Sequence, residues 1–188
     1  LKKESRQTVE KLLQKHKIAI LSGRSINDVR RLVGIKRIYY GGNHGLEIVG
    51  PNFKYVHPKA FRLKPTMKRI HEESKKSLKN VRGAILEFKG LSVSFHYRMV
   101  SKEQMPEFKS KIKKILEKWL QKNNLAVRSG KKVIEVLPNV NWDKGKAALL
   151  LLRKIDPKRK FFPVGLGDDR TDEDLFSSLS GKGTTVLI

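Results

Sequence analysis

The sequence predicts an α/β protein, a parallel-sheet core interrupted by a smaller inserted α+β unit. Two observations predict the core: short apolar runs alternate with helix-period stretches towards both ends of the chain, and these runs stop in Gly-rich, Ser-rich or acidic loops. A third predicts the insert: the middle of the chain changes to strands that pair with one another behind helices.

In chain order, a helical pattern from Thr8 to His16 leads into the apolar run Ile18-Ala19-Ile20-Leu21, which ends in Ser22-Gly23-Arg24-Ser25. Ile26 to Val33 reads as a helix, and Ile38-Tyr39-Tyr40 as a second strand running into Gly41-Gly42-Asn43-His44-Gly45. This is the Rossmann-like alternation of an open parallel sheet, in which ligands sit at the carboxyl ends of the strands. A helix from Pro65 to Leu78 then precedes strands at Ala84 to Lys89 and Leu91 to Arg98, split by Gly90.

From Met105 to Lys122 the apolar positions Met105, Phe108, Ile112, Ile115, Leu116, Trp119 and Leu120 make one helical face. Lys109, Lys111, Lys113, Lys114, Lys118 and Lys122 fill the rest. Leu125 to Arg128, a turn at Ser129-Gly130-Lys131 and Val133 to Val136 make a hairpin. Alternation resumes with a helix at Gly145 to Lys154, a strand at Phe161 to Leu166, a loop opening another helix, and a strand at Thr184 to Ile188. The expected division is core at 1–60 and 141–188, with the insert at 61–140.

Composition narrows the function classes. The chain has no cysteine, which removes disulfides and thiolate metal sites. It has no apolar run of about 18 residues, and its start, Leu1-Lys2-Lys3-Glu4-Ser5, is unlike a signal peptide. A soluble cytoplasmic protein without a membrane partner is expected. The net charge of +24 attracts anions in general. Its lysines, however, form the solvated side of an amphipathic helix, and the aromatics are too scattered for a base-stacking platform. The expected partner is a phosphorylated small molecule, with no nucleic acid.

Chemistry concentrates at strand ends. Gly167-Asp168-Asp169-Arg170-Thr171-Asp172-Glu173-Asp174 directly follows an apolar run. Close carboxylates repel unless a cation neutralises them, and oxygen ligands of this kind suit Mg2+. Asp168 on the loop and Asp172 one helical turn later can converge on one ion. The competing reading is an acidic helix N-cap, a need that one carboxylate satisfies. Ser22-Gly23-Arg24 offers a hydroxyl and backbone N–H groups at a helix start, an anion site or an ordinary turn. Lys144, opening a helix after Val140-Asn141-Trp142-Asp143, can neutralise a phosphoryl oxygen or a carboxylate nucleophile. It is also one lysine among many.

In this order, the serine, the lysine and the Gly-Asp-Asp-x-x-Asp cluster resemble three motifs of the haloacid dehalogenase superfamily. The spelling is narrower. Ser22-Gly23-Arg24-Ser25, Asn43-His44-Gly45, Glu87-x-Lys89, His96-Tyr97-Arg98, Glu135-x-x-Pro138, Trp142-Asp143-Lys144-Gly145 and the acidic cluster resemble the trehalose-6-phosphate phosphatases from about Thr8 to Ile188. The resemblance implies a haloacid dehalogenase core with an α+β cap, and Mg2+-dependent hydrolysis of trehalose 6-phosphate in trehalose biosynthesis.

It also implies roles. Ser22, with Gly23 and Arg24, would bind the transferred phosphoryl group, and Lys144 would hold phosphate and nucleophile together. Asp168 would ligate Mg2+, with Asp172 ligating or orienting its water shell. Glu87, Lys89, His96, Arg98 and Glu135 of the cap, with Asn43 and His44 of the core, would contact the sugar as the cap closes. The plainer readings are a surface ion pair between Glu87 and Lys89, which share a strand face, and a structural histidine at His96, which shares one with Arg98.

The family's Asp-x-Asp-Gly-Thr, whose first aspartate attacks phosphorus and whose second is the general acid and base, does not occur in the 188 residues. The resemblance aligns Leu1 past that segment and ends the chain before a last core helix. The expectation is therefore a fragment of an enzyme, inactive alone and weak for Mg2+, whose parent could carry a trehalose-phosphate synthase domain. The alternatives are a phosphatase for another phosphosugar and a non-catalytic module binding phosphosugar or nucleic acid.

Overall fold

A computed structural model describes residues 1–121 and 123–188, so Lys122, the last of the predicted lysine face, lies outside the described residues. The chain divides into two compact units, Leu1–Val56 with Asn141–Ile188, and His57–Val140.

In the first unit, helix α1 (Lys3–Leu12) begins and ends earlier than the sequence pattern suggests. The Arg6 guanidinium explains the early start: it donates to the carbonyls of Val33 and Gly34 at 2.9 and 3.0 Å. These are the free acceptors at the end of helix α2 (Ile26–Val33). Strand β1 (Ala19–Leu21) pairs in parallel with β2 (Tyr39–Gly42). The inward stripe of α2, Val29 and Val33, packs with Ile35, Ile38 and Tyr40. Ser25 starts this helix by accepting from the Asp28 N–H at 3.1 Å.

The sequence pattern assigns no element to residues 46–60, yet β3 (Glu47–Gly50) and β4 (Phe53–Val56) form an antiparallel hairpin there. It extends the sheet to the order β1-β2-β3-β4. Its turn falls on Pro51-Asn52, with Asn52 left-handed at φ 53°.

Helix α6 (Lys144–Ile155) buries Ala147 and Leu151 with Tyr39 and Ile48. Strand β9 (Val164–Gly167) pairs in parallel with β10 (Thr184–Leu187), and helix α7 (Glu173–Leu179) connects them. The strand predicted from Phe161 starts later because the Phe161 N–H donates to the Asp156 carboxylate at 2.6 Å. That bond holds Phe161 to the end of α6 rather than to the sheet.

In the second unit, short helix α3 (Pro58–Arg62) and α4 (Lys64–Ser77) lead to β5 (Ile85–Phe88) and β6 (Val93–His96). Helix α5 (Met105–Leu120) leads to β7 (Leu125–Gly130) and β8 (Val133–Pro138). The strands form one antiparallel sheet in the order β5-β6-β8-β7. Alternation gives it two unlike faces. Val93, Phe95 and Val136 pack on Met67 and Ile70 of α4 and Phe108, Ile112 and Ile115 of α5. Fully burying a side chain of this kind stabilises by about 1.5–3 kcal/mol. Glu87, Ser94, Glu135 and Arg128 make a single cross-strand row on the other face.

Two boundaries differ from expectation. Strand β7 runs on to Gly130, so the turn falls on Lys131-Lys132, with Lys132 at φ 62°. Strand β6 stops at His96, so Arg98 lies on an exposed turn and shares no strand face with it. Among the described residues, no helix is long and apolar enough to cross a membrane.

Candidate active site

Three loops of the first unit meet at one place. The loop after β1 carries Ser22, Gly23 and Arg24; the loop after β2 carries Asn43 and His44. Main chain joins them: Asn43 N–H donates to the Arg24 carbonyl at 2.7 Å, and His44 N–H to the Ser22 carbonyl at 2.9 Å. Asn43 and His44 reach these bonds through left-handed conformations, φ 50° and 57°. The His44 ring lies flush against Gly23, where a Cβ would sit 2.7 Å from its Cε1.

Ser22 Oγ accepts the Arg24 N–H at 3.2 Å, which leaves its own hydrogen free to donate. The Arg24 side chain is exposed. The Asn43 amide is buried and reaches Glu47 Oε2 at 3.4 Å.

The second loop is tied in turn to α6. Trp142 donates its indole N–H to the Gly45 carbonyl just before that helix begins. At its first residue, Lys144 is 6% exposed and places Nζ 2.8 Å from Asp172 Oδ1 and 3.7 Å from Asp169 Oδ1.

The acidic cluster follows β9. Asp172 Oδ2 accepts the N–H groups of Asp168 and Asp169, each at 3.2 Å. Asp169 Oδ1 accepts both the N–H and the hydroxyl of Thr171, at 2.7 and 2.6 Å. Burial works against ionisation of Asp169 as the largest single influence. The Thr171 hydrogen bonds, with Lys144 and His44 nearby, outweigh it and hold the carboxyl below the usual aspartate range. Asp169 and Asp172 therefore do cap a helix start, as the plainer reading has it, but two carboxylates share that work. Asp168 is left over. Oxygens of Asp168, Asp169 and Asp172 all lie within 4.8 Å of one another.

In the second unit, the polar sheet face gathers most of the predicted sugar-contacting residues. Lys89 Nζ lies 2.9 Å from Glu135 Oε1, which also accepts the Ser92 hydroxyl at 2.9 Å. His96 Nε2 lies 3.0 Å from Glu87 Oε2. Glu87 and Lys89 each find a partner across strands, on β6 and β8 respectively, rather than each other. Ser94, between Glu87 and Glu135 in the register, is fully buried and its hydroxyl has no partner among the described residues. Arg98, on its exposed turn, stands outside this cluster.

The sequence reading missed Asp169, Ser92 and Ser94. Asp169 was visible as the second aspartate of Gly-Asp-Asp, and Ser94 and Ser92 as the residues two and four places before His96, in β6 and just ahead of it.

A family model described as trehalose-phosphatase matches residues 1–186. The chain is 30% identical over 204 residues to probable trehalose-phosphate phosphatase 3 of Oryza sativa subsp. japonica, covering 98% of this chain and 55% of that protein. It is 32% identical over 185 residues to trehalose-phosphate phosphatase of Mycobacterium tuberculosis, covering 97% and 46%. The chain thus spans about half the length of these relatives. Among solved structures, it superposes on a trehalose-6-phosphate phosphatase related protein with a TM-score of 0.79 and 20% identity, covering 99% of this chain and 82% of that one.

Proposed function

The chain belongs to the trehalose-phosphatase family and has the haloacid dehalogenase fold, and on that footing we propose that its reaction is the hydrolysis of trehalose 6-phosphate to trehalose and phosphate. The observation that supports this most is the convergence of Lys144, Asp169, Asp172 and His44 beside the Ser22-Gly23-Arg24 loop. A buried ammonium among carboxylates, next to a hydroxyl with a free hydrogen, suits a phosphoryl group. Ser22 donates to a phosphoryl oxygen, and Lys144 offsets the charge gathering on the others.

The donor set fits a divalent cation, since three hard carboxylates around one point suit Mg2+ with waters and phosphate completing its shell. Bound there, Mg2+ would neutralise charge on the phosphoryl oxygens. Asp168 is the foremost ligand. Asp172 holds Lys144 and the loop in place and keeps lone pairs for the ion or its water.

No Asp-x-Asp-Gly-Thr occurs in the 188 residues, so neither attack on phosphorus nor protonation of the leaving oxygen is assigned to a residue here. Glu87, Lys89, His96 and Glu135 take the sugar through the charged and polar groups that their cross-strand pairing brings together. A synthase making trehalose 6-phosphate is the partner reaction. We assign both to the cytoplasm, because a charged phosphosugar does not cross a bilayer unaided.

The test is phosphate release by the full product of the gene, across a panel of trehalose 6-phosphate, glucose 6-phosphate and sucrose 6-phosphate with and without Mg2+. Preference for trehalose 6-phosphate, lost with EDTA and with Lys144→Ala, is expected. Equal rates on simple hexose phosphates would remove the substrate assignment.

A further inference from the structure

We propose that a groove on the second unit docks an acidic peptide in extended form, added to the outer edge of β5. The groove measures about 480 Å³ and is lined by Phe61, Arg62, Lys64, Pro65, Lys68 and Phe88. The inference is independent of the phosphatase reading, and either can fail alone.

The lining joins two features that seldom share a surface without use. Phe61 is 60% exposed and Phe88 36%, large apolar rings facing water. Cations rim them. Arg62 and Lys64 have no carboxylate partner among the described residues, and Lys68 has only a 3.9 Å approach from the exposed Glu72. Other cations of this unit, such as Lys75 and Lys109, likewise have no carboxylate partner among the described residues; Arg62, Lys64 and Lys68 differ in surrounding exposed apolar rings. Unneutralised positive charge around an apolar floor is complementary to a segment with both apolar and acidic side chains.

The strand beside the groove sets the occupant's shape. β5 stands at the edge of its sheet, paired with β6 on one side. Its second side offers backbone groups to an added strand, the recurring mode of extended-peptide recognition. Alternate side chains of such a strand would meet Phe88 and Phe61 on one face and the exposed Ile85 on the other. A single-stranded nucleic acid fits less well. It needs successive open ring faces, whereas one face of Phe88 is already stacked on His71 at 5.5 Å.

The test titrates the whole 188-residue chain into a short fluorescein-labelled peptide of alternating leucine and aspartate, followed by anisotropy. Saturable binding is expected. Arg62→Glu/Lys64→Glu should weaken it on the order of tenfold and create binding of the matching leucine–lysine peptide. Methylating alternate peptide amides should abolish it. Should the double variant not fold, the wild-type chain with the lysine and methylated peptides still decides the matter.

The proposal is overturned by absence of saturable binding, by equal binding of acidic and basic peptides, or by indifference to amide methylation. It is also overturned if an oligonucleotide of equal charge binds more tightly and displaces the peptide. Self-association that Phe61→Ala removes would instead make a second copy the occupant, and would overturn it too.

Discussion

Trp142 and Gly45 lie 97 residues apart and are joined by one hydrogen bond of 2.9 Å, indole N–H to carbonyl. The indole also stacks on Tyr55, with ring centroids 5.4 Å apart. This contact fastens the turn carrying Asn43 and His44 to the start of the helix that carries Lys144. Trp142→Phe keeps a ring and loses the donor, so it should cost about 1 kcal/mol in urea unfolding. Gly45→Ala should cost more, about 2 kcal/mol or above. Gly45 sits at φ 86°, and its added Cβ would lie 2.2 Å from that of Ala147. An unchanged urea midpoint for Trp142→Phe would argue against the pinning role.

Lys144 and Asp172 have side chains 7% and 9% exposed. Removing one charge strands the other in a medium that solvates it poorly. Lys144→Met should therefore destabilise the chain by about 3 kcal/mol, with much of the loss recovered in Lys144→Met/Asp172→Asn. A double-mutant cycle in urea measures the coupling, and simple additivity would show that the pair is not coupled.

The same logic separates stability from recognition at Lys89 and Glu135, each 11% exposed in its side chain. Lys89→Met alone should cost about 3 kcal/mol, and Lys89→Met/Glu135→Leu much less. In the active gene product the double variant should raise KM for trehalose 6-phosphate while leaving hydrolysis of a small aryl phosphate unchanged. An unchanged KM would take these residues out of sugar recognition.

Glu73 predicts a pH dependence. Its hydrogen bond from Lys118 is the main cause of a pKa held below the ordinary glutamate value of 4.5, with Trp119 and the Lys118 charge adding to it against the opposing effect of burial. A carboxylate depressed in the folded state stabilises fully above its unfolded pKa, and this contribution is lost as pH falls through the folded value. Urea midpoints of Glu73→Gln should therefore fall less steeply than wild type below about pH 4.5, and run parallel to it above. Parallel curves throughout would contradict the assignment.

Much of the fold was legible because its signals are local. The runs at Ile18-Leu21 and Ile38-Tyr40 announce strands, and Ser22 and Gly41 announce their ends. The β3–β4 hairpin was not, because each strand is four residues long and Gly50-Pro51 reads as a loop. Nor was the end of β6 at His96. Its partner strand β8 begins only at Val133, after the left-handed Lys132, so the pairing runs out there for a reason set by residues far along the chain.

The candidate site divides the same way. Residue types such as Ser22, Lys144 and Asp168 carry their chemistry wherever they fall. Partners do not, because Lys89 meets Glu135 across 46 positions through a strand order no local pattern specifies. Ser92 and Ser94 escaped notice for that reason, since a strand serine gains meaning only from what stands opposite.

The two peptide-to-peptide bonds joining the turns at Ser22-Arg24 and Asn43-His44 involve no side chain. Their geometry therefore rests on the left-handed backbone at Asn43, His44 and Gly45 and on the missing Cβ of Gly23, while the side chains at Ser22 and Arg24 are free to change without disturbing it. Descendants of such a protein could revise what this corner grips, one letter at a time, and inherit the spacing unchanged.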